Sequence, residues 1–119
     1  MTFNNAAIQT ALARTDWVHW AFVKDTTAGT VSIYVDGVLA ESVSGSGMAT
    51  INAIGGSGLA TGTQYIWNGN IDEVAIFDYA LTLRQIKQDI YNGTTTGKTA
   101  DLNNISNLTA PVAWYRMGD

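Results

Sequence analysis

The sequence predicts an all-β fold rich in turns, with one short helix in its C-terminal half. Three observations favour this class. Hydrophobic residues make up 46% of the 119-residue chain and charged residues only 13%, and the 12 glycines accompany many Thr, Ser and Asn residues. Bulky residues alternate along several short runs, as on strands with one buried face. The apolar period changes to that of a helix once, after residue 81.

The first three strands are predicted at residues 17–24 (WVHWAFVK), 30–35 (TVSIYV) and 38–43 (VLAESV). The second and third of these runs flank the pair Asp36-Gly37. A type I′ turn of two residues needs positive φ at both central positions, which Asp-Gly accommodates. The sequence therefore predicts a β-hairpin that turns at Asp36 and Gly37.

Further strands are predicted after this hairpin. One covers residues 49–56 (ATINAIGG), and residues 64–69 (QYIWNG) and 70–78 (NIDEVAIFD) form two strands or one strand broken at Gly69. Exposed loops are expected at 44–48 and 56–63.

Residues 82–91 are predicted to form a short amphipathic helix. Thr82 precedes Gln85 by three residues, which is a capping-box pattern, and Leu81 and Ile86 occupy the positions of a hydrophobic staple. The apolar face expected to pack on the β core consists of Leu83, Ile86 and Ile90.

The chain divides into a domain at residues 1–93 and a tail at residues 94–119. The tail begins as a polar linker without a clear element. Its last run, PVAWYRM at 111–117, is predicted to be a strand. This strand either completes a sheet of the preceding domain or begins a further module.

Four stretches carry a family resemblance: WVHWAFV, SIYVDGVL, AIGG and WNGNIDEVAIFDYALTLRQI. In this order, over residues 17–91, they resemble the laminin-G-like, concanavalin A-like lectin/glucanase superfamily. The resemblance implies a jelly-roll β-sandwich of two antiparallel sheets. The ending WYRMGD resembles laminin-G-like modules of bacteriophage virion proteins, which implies a structural protein of the virion.

The chain departs from that family at its N-terminal side, where only 16 residues precede Trp17. The sandwich is therefore expected to lack strands there. Open edges and apolar faces associate unless they are covered. We expect the chain to form an oligomer and to complete its fold with other copies of itself or with other assembly proteins.

Three carboxylates, Asp72, Glu73 and Asp78, lie inside an otherwise apolar run. Neighbouring side chains on a strand point to opposite faces, and residues 72 and 78 of one strand would stand roughly 20 Å apart. Glycosidase carboxyl pairs need about 5 to 9.5 Å. We therefore assign no catalytic residue and expect no enzyme activity. Structural roles are predicted for Asp36, Gly37, Asp72, Glu73, Thr82 and Gln85.

A metal site is not predicted from the residues. The chain has one histidine, His19, and no cysteine, so no zinc set is present, and His19 is interpreted as a packed core residue. Calcium needs six to eight oxygen ligands, and no clustered acidic loop offers them. Many laminin-G-like domains bind calcium, so the resemblance leaves a calcium ion open.

Carbohydrate binding is the alternative function. Tyr34 and Trp67 are the aromatic residues expected to face solvent, where they could stack against sugar rings of a cell-surface glycan. The formal net charge of −4 and the lack of a basic stripe argue against nucleic acid. No apolar run approaches the roughly 20 residues that span a bilayer. The N-terminal stretch MTFNNAAIQTALAR does not have the pattern of a signal peptide, and we expect a virion or extracellular location.

Overall fold

The computed structural model describes residues 5–45, 53–56, 67–93 and 100–117. These residues form antiparallel sheets and two short helices, so the described part of the chain is mostly β structure. The strands are β1 (Trp20–Asp25), β2 (Thr30–Val35), β3 (Val38–Ser44), β4 (Val74–Ile76) and β5 (Ala113–Tyr115), and the helices are α1 (Ala6–Leu12) and α2 (Gln85–Tyr91).

The hairpin between β2 and β3 is confirmed. Asp36 and Gly37 both have positive φ, at 49° and 76°, as a type I′ turn requires. Gly37 is needed for a second reason, because a Cβ atom there would lie 3.2 Å from the Cα of Lys87 in α2. The turn therefore both joins two strands and packs against the second helix.

Strand β2 lies in the middle of a three-stranded sheet with the order β1-β2-β3. It is buried on both faces, since Val31 and Ile33 on one face and Ser32 and Tyr34 on the other are all buried. Tyr34 packs with Val23 of β1 and Ile86 of α2, and Ile86 has no exposed surface. Helix α2 therefore closes one face of this sheet.

Strand β3 carries an irregularity that β1 lacks. The register with β2 shifts so that Ile33 pairs with Glu41 and Tyr34 with Leu39, which leaves Ala40 as the extra residue of a β-bulge. The carbonyl oxygen of Ala40 accepts a hydrogen bond from Nδ2 of Asn5 at 2.9 Å. This outer edge of the sheet is thus bent and partly covered.

The prediction of a single helix was wrong, because α1 precedes the first strand. Its sequence, AAIQTAL, contains three Ala and one Leu, which favour helices. Asn5 caps the helix through Oδ1, which accepts from the Ala7 N–H at 2.7 Å. Ile8 and Ala11 are buried, and the helix contacts β2.

The predicted capping box is confirmed at the α-helical turn of residues 83 and 84, which leads into α2. The Thr82 N–H donates to Oε1 of Gln85 at 2.9 Å, and the Gln85 N–H donates to Oγ1 of Thr82 at 3.2 Å. From Gln85 the helix widens to the π form, and at its end the Asn92 N–H donates to the Lys87 carbonyl five residues earlier at 2.9 Å. Ile86 and Ile90 of the predicted apolar face pack against apolar residues, whereas the third residue, Leu83, lies before the widened part. Leu83, predicted to be buried, is 49% exposed.

The final run of the chain forms β5, which pairs antiparallel with β4. The predicted strand at 70–78 is shorter than expected, because regular pairing covers only the three residues of β4. Behind these strands lies an apolar cluster from the tail, formed by Ala100, Leu102 and Leu108. The tail between 100 and 112 is therefore a packed part of the fold, although no regular element is formed there.

Several predictions concern residues outside those described. They are residues 49–52 of the strand at 49–56, residues 64–66 of the strand at 64–69, and most of the loops at 44–48 and 56–63. The ends of those two predicted strands that the structure describes, 53–56 and 67–69, are not strand.

Candidate functional site

The Asp36 carboxylate joins three parts of the chain at the hairpin turn. Oδ1 of Asp36 accepts from the His19 backbone N–H at 2.9 Å, and Oδ2 forms an ion pair with Nη1 of Arg14. Arg14 also holds Asp16 in a two-point contact, with Nε to Oδ1 at 2.9 Å and Nη2 to Oδ2 at 2.6 Å. The carboxylate predicted to serve the turn therefore also ties it to the segment between α1 and β1.

This network shifts the ionisation of its members. Hydrogen bonding from Arg14 lowers the pKa of Asp16 to about 2. The bonds from Asp16 and Asp36 in turn raise the pKa of Arg14. All of these groups lie at the surface or close to it, so the network orients the chain without forming a closed binding site.

His19 is positioned as a packed residue, as the sequence predicted. Its ring lies 5.6 Å from that of Tyr91, and Nδ1 is buried with no hydrogen-bond partner among the described residues. Burial lowers the pKa of the imidazole, and the nearby Asp36 carboxylate opposes that shift only partly. His19 is therefore held in the neutral form on the α2 side of the sheet.

The pair Asp72 and Glu73 does not lie within a strand, because β4 begins only at Val74. Glu73 has φ of 53°, and Oδ1 of Asp72 accepts its backbone N–H at 2.9 Å. The argument that the two side chains alternate across a sheet therefore does not apply to them. Asp72 instead stabilises the unusual backbone that turns the Glu73 side chain toward the tail.

Glu73 anchors β5 through both of its carboxylate oxygens. Oε2 accepts from Nε1 of Trp114 at 2.8 Å, and Oε1 accepts from Nε of Arg116 at 3.3 Å. The Arg116 guanidinium also lies over the Trp114 ring, 4.7 Å from its centroid. Glu73 is therefore bound by the indole of Trp114 in β5 and the guanidinium of Arg116 just after it. This arrangement fits a structural anchor.

The two aromatic residues predicted to contact sugar have different surroundings. The prediction that Tyr34 faces solvent was wrong, because Tyr34 is 9% exposed and packs against Ile86. Trp67 is 43% exposed, and its backbone N–H donates to the Gly55 carbonyl at 2.8 Å. A Cβ atom at Gly69 would lie 3.0 Å from Nε1 of Trp67, so the ring rests on the glycine. Trp67 is thus a supported, exposed aromatic surface.

Sequence reasoning missed a second aromatic surface, which lies on β1 and just before it. Phe22 of β1 and Trp17, three residues before β1, are each 66% exposed, although only Tyr34 and Trp67 were expected to face solvent. The rings of Trp20 and Phe22 stack with centroids 6.2 Å apart and planes 6° apart. The alternation in WVHWAFV contained this signal, because it places residues 20 and 22 together on the face opposite Val23.

Two further observations concern ligands and membranes. Within the parts of the chain that the structure describes, no three side chains of His, Cys, Asp or Glu are grouped as a metal site would require. Likewise, none of the helices described there is both long enough and apolar enough to span a bilayer.

Comparison with solved structures gives a match to a fragment, residues 221–444, of an S-layer domain-containing protein from Clostridium thermocellum. The TM-score is 0.53 and the identity 23%, over 66% of this chain and 41% of the other. This likeness concerns the fold, and the chain spans about two-fifths of that structure. A search of curated proteins found no match.

The family comparison covers a larger part of the chain. The model of a laminin-G-like family, described as the concanavalin A-like lectin/glucanases superfamily, matches residues 2–87. The matched range includes α1, the three-stranded sheet and β4, and it ends within α2. On this match over more than half of its length, the chain belongs to the concanavalin A-like lectin/glucanase superfamily.

Proposed function

We propose that this domain is a non-catalytic interaction module of a multichain extracellular assembly, in which association completes a jelly-roll sandwich. The observation that carries the proposal is the exposed aromatic surface of β1, with Phe22 66% exposed beside Trp20. An apolar group of this kind on a sheet edge is an association surface unless another chain covers it. The resemblance of the WYRMGD ending supports a virion surface as the setting.

The carboxylates support a structural role in this proposal. Glu73 accepts hydrogen bonds from Trp114 and Arg116, and Asp72 bonds to the backbone of Glu73. A hydrolase would instead need a carboxyl pair that faces a substrate cleft at about 5 to 9.5 Å. We therefore assign these side chains to the joining of the last strand to the domain.

Sedimentation velocity over a wide range of protein concentration tests the proposal. A module that completes its sandwich by association sediments as a defined oligomer that dissociates on dilution, as mass action requires. A chain that sediments as a folded monomer at every concentration would contradict self-association. The same runs with added calcium chloride show whether an ion contributes to assembly.

Carbohydrate binding is the second candidate, and Trp67 favours it. Its ring is exposed and rests on Gly69, while the Trp67 backbone is tied to Gly55. A rigid aromatic surface loses little entropy when a sugar ring stacks on it. Glycan-array binding should then be lost in Trp67→Ala and kept in Trp17→Ala, which removes an exposed tryptophan elsewhere. Absence of glycan binding by the wild-type chain, with and without calcium, would exclude this candidate.

A further inference from the structure

We propose that β1 pairs with β1 of a second copy of this chain, antiparallel and about a twofold axis at Phe22. The inference rests on the proposed self-association and specifies its surface and register. The two three-stranded sheets would join into one continuous sheet of six strands. Among the described residues, β2 is the only strand that pairs with β1, so the other edge of β1 has no partner strand there.

The hydrogen-bond phase of β1 shows which backbone groups point to this edge. The Asp36 N–H donates to the His19 carbonyl at 2.9 Å, and Trp20 pairs with Val35. Bonded and non-bonded pairs alternate along an antiparallel ladder, so residues 21 and 23 bond to β2. The N–H and C=O groups of Trp20, Phe22 and Lys24 therefore point away from β2.

The same three residues place their side chains on one face of the sheet. The parallel stack of Trp20 on Phe22 extends along this face beside the open edge, and Phe22 is largely exposed. The amine of Lys24 donates to the Gly45 carbonyl at the end of β3, so its charge is directed across the sheet and not outward. The edge consequently lacks the outward-pointing lysine that often prevents strand pairing.

The proposed register makes β1 complementary to itself. With Phe22 opposite Phe22 of the second copy, Trp20 lies opposite Lys24, and all three outward residues meet as hydrogen-bonded pairs. The Trp20 ring would then lie beside the aliphatic stem of Lys24 of the second copy, whose amine is held by its own Gly45 carbonyl. On the other face His19 lies opposite Asp25. No like charges therefore face each other across the pair, although the formal net charge of each chain is −4.

The opposite edge of the same sheet is less suited to pairing. Strand β3 is bulged at Ala40, and the carbonyl of that residue already accepts from Asn5. Bulges and covering segments are two of the devices by which edge strands avoid further pairing. The contrast between a regular, aromatic edge at β1 and a bent, covered edge at β3 favours β1 as the contact between copies.

Cysteine cross-linking tests the register directly, because the natural chain has no cysteine. Residues that form a hydrogen-bonded pair across an antiparallel ladder have Cα atoms about 5.5 Å apart, which is within the range of a disulfide. Phe22→Cys should give a covalent dimer on mild oxidation, seen by intact mass and reversed by a thiol. Val38→Cys is the matched control, since Val38 is 58% exposed at the start of β3. Equal cross-linking of the two variants would overturn the proposed register.

A charge at the axis separates this inference from the broader proposal. Phe22→Lys places two positive charges face to face, so sedimentation should show a folded monomer, while Val38→Lys stays associated. If Phe22→Lys associates as the wild type does, the β1 contact is wrong and association uses another surface. If the wild type is itself a monomer at every concentration, the chain does not self-associate, and the β1 contact fails with that part of the proposed function. Circular dichroism of Phe22→Lys confirms that loss of association is not loss of fold.

Discussion

The two sheets that the described residues form are stabilised in different ways. In the β1-β2-β3 sheet, neighbours in sequence are neighbours in space, and a turn at Asp36 and Gly37 joins the central strand to the next. In the β4-β5 sheet, two three-residue strands from distant parts of the chain meet, and Glu73 binds Trp114 across 41 positions of sequence. The first sheet follows from local pattern, whereas the second depends on a few specific long-range contacts.

This difference predicts how each sheet responds to substitution. The larger sheet has a buried central strand, so its stability comes mainly from apolar packing against α2. The smaller sheet has short strands, so the loss of one polar anchor should open it locally. The following substitutions test this contrast, from the largest expected effect to the smallest.

Ile86→Ala should have the largest effect, because Ile86 of α2 is fully buried against β1 and β2. Removing a buried isoleucine side chain leaves a cavity and lowers the free energy of unfolding by about 2–5 kcal/mol. Urea denaturation measures the loss. Leu83→Ala, two residues before α2 and half exposed, is the control and should change stability far less. Equal losses would mean that α2 does not close the sheet as described.

Glu73→Ala should destabilise mainly the smaller sheet. The substitution removes both acceptors of Trp114 and Arg116, and a hydrogen-bonding group left without its partner costs about 1–3 kcal/mol. Amide exchange in β4 and β5 should accelerate more than in β2. Glu73→Gln keeps an acceptor for the Trp114 indole and should lose less protection. Acceleration spread evenly over both sheets would contradict the contrast between them.

Asp36→Ala should loosen the hairpin end of the larger sheet. The alanine lacks the acceptor for the His19 N–H and the ion pair with Arg14, and it also adopts positive φ less readily. We expect a loss of about 1–2 kcal/mol on thermal or urea unfolding. Asp36→Asn keeps an oxygen and the turn preference, so it should retain most of the stability. A loss in Asp36→Asn as large as in Asp36→Ala would assign the effect to the charge alone.

The smallest expected effect is a dependence on pH through His19. Burial lowers the pKa of His19 in the folded state, so the unfolded chain binds the proton more readily. Stability is therefore fully present above the unfolded value of about 6.5 and falls as the pH drops below it. His19→Phe keeps a ring beside Tyr91 and should flatten the fall in melting temperature below about pH 6.5. An unchanged slope in this variant would assign the dependence to other groups.

At lower pH a separate decline is expected from Asp16. The Arg14 contact lowers the pKa of Asp16 to about 2, so its contribution is present above the unfolded value and is lost as the pH falls toward 2. Because this window lies below that of His19, the two effects separate in a pH series. Asp16→Asn should remove only the lower one.

Local chemistry explains which parts of the fold could be predicted. The Asp36-Gly37 turn and the capping box of Thr82 and Gln85 need only residues within four positions, and both are confirmed. The widened helix and the exposure of Leu83 could not be foreseen, because the spacing of Leu83, Ile86 and Ile90 fits the apolar face of an ordinary α-helix. Helix α1 has a local signal in the capping residue Asn5 and the alanines after it, so this helix was predictable from the sequence.

The candidate sites were less predictable than the fold. Tyr34 alternates like a residue with one solvent-exposed face, but α2 covers that face through Ile86. The partners of Glu73 lie in the tail, and nothing near residue 73 indicates Trp114. The exposure of Phe22 depends on which edge of the sheet is left open, and only the three-dimensional arrangement shows that.

Amide hydrogen exchange of β1, followed by NMR at a low and a high protein concentration, tests the central claim most directly. The N–H groups of Trp20, Phe22 and Lys24 point away from β2, so they exchange fast in a monomer. We predict that they become protected at high concentration and lose that protection in Phe22→Lys, while the amides of Ala21 and Val23 are protected throughout. Fast exchange of the three outward amides at every concentration would contradict pairing of β1 with a second copy.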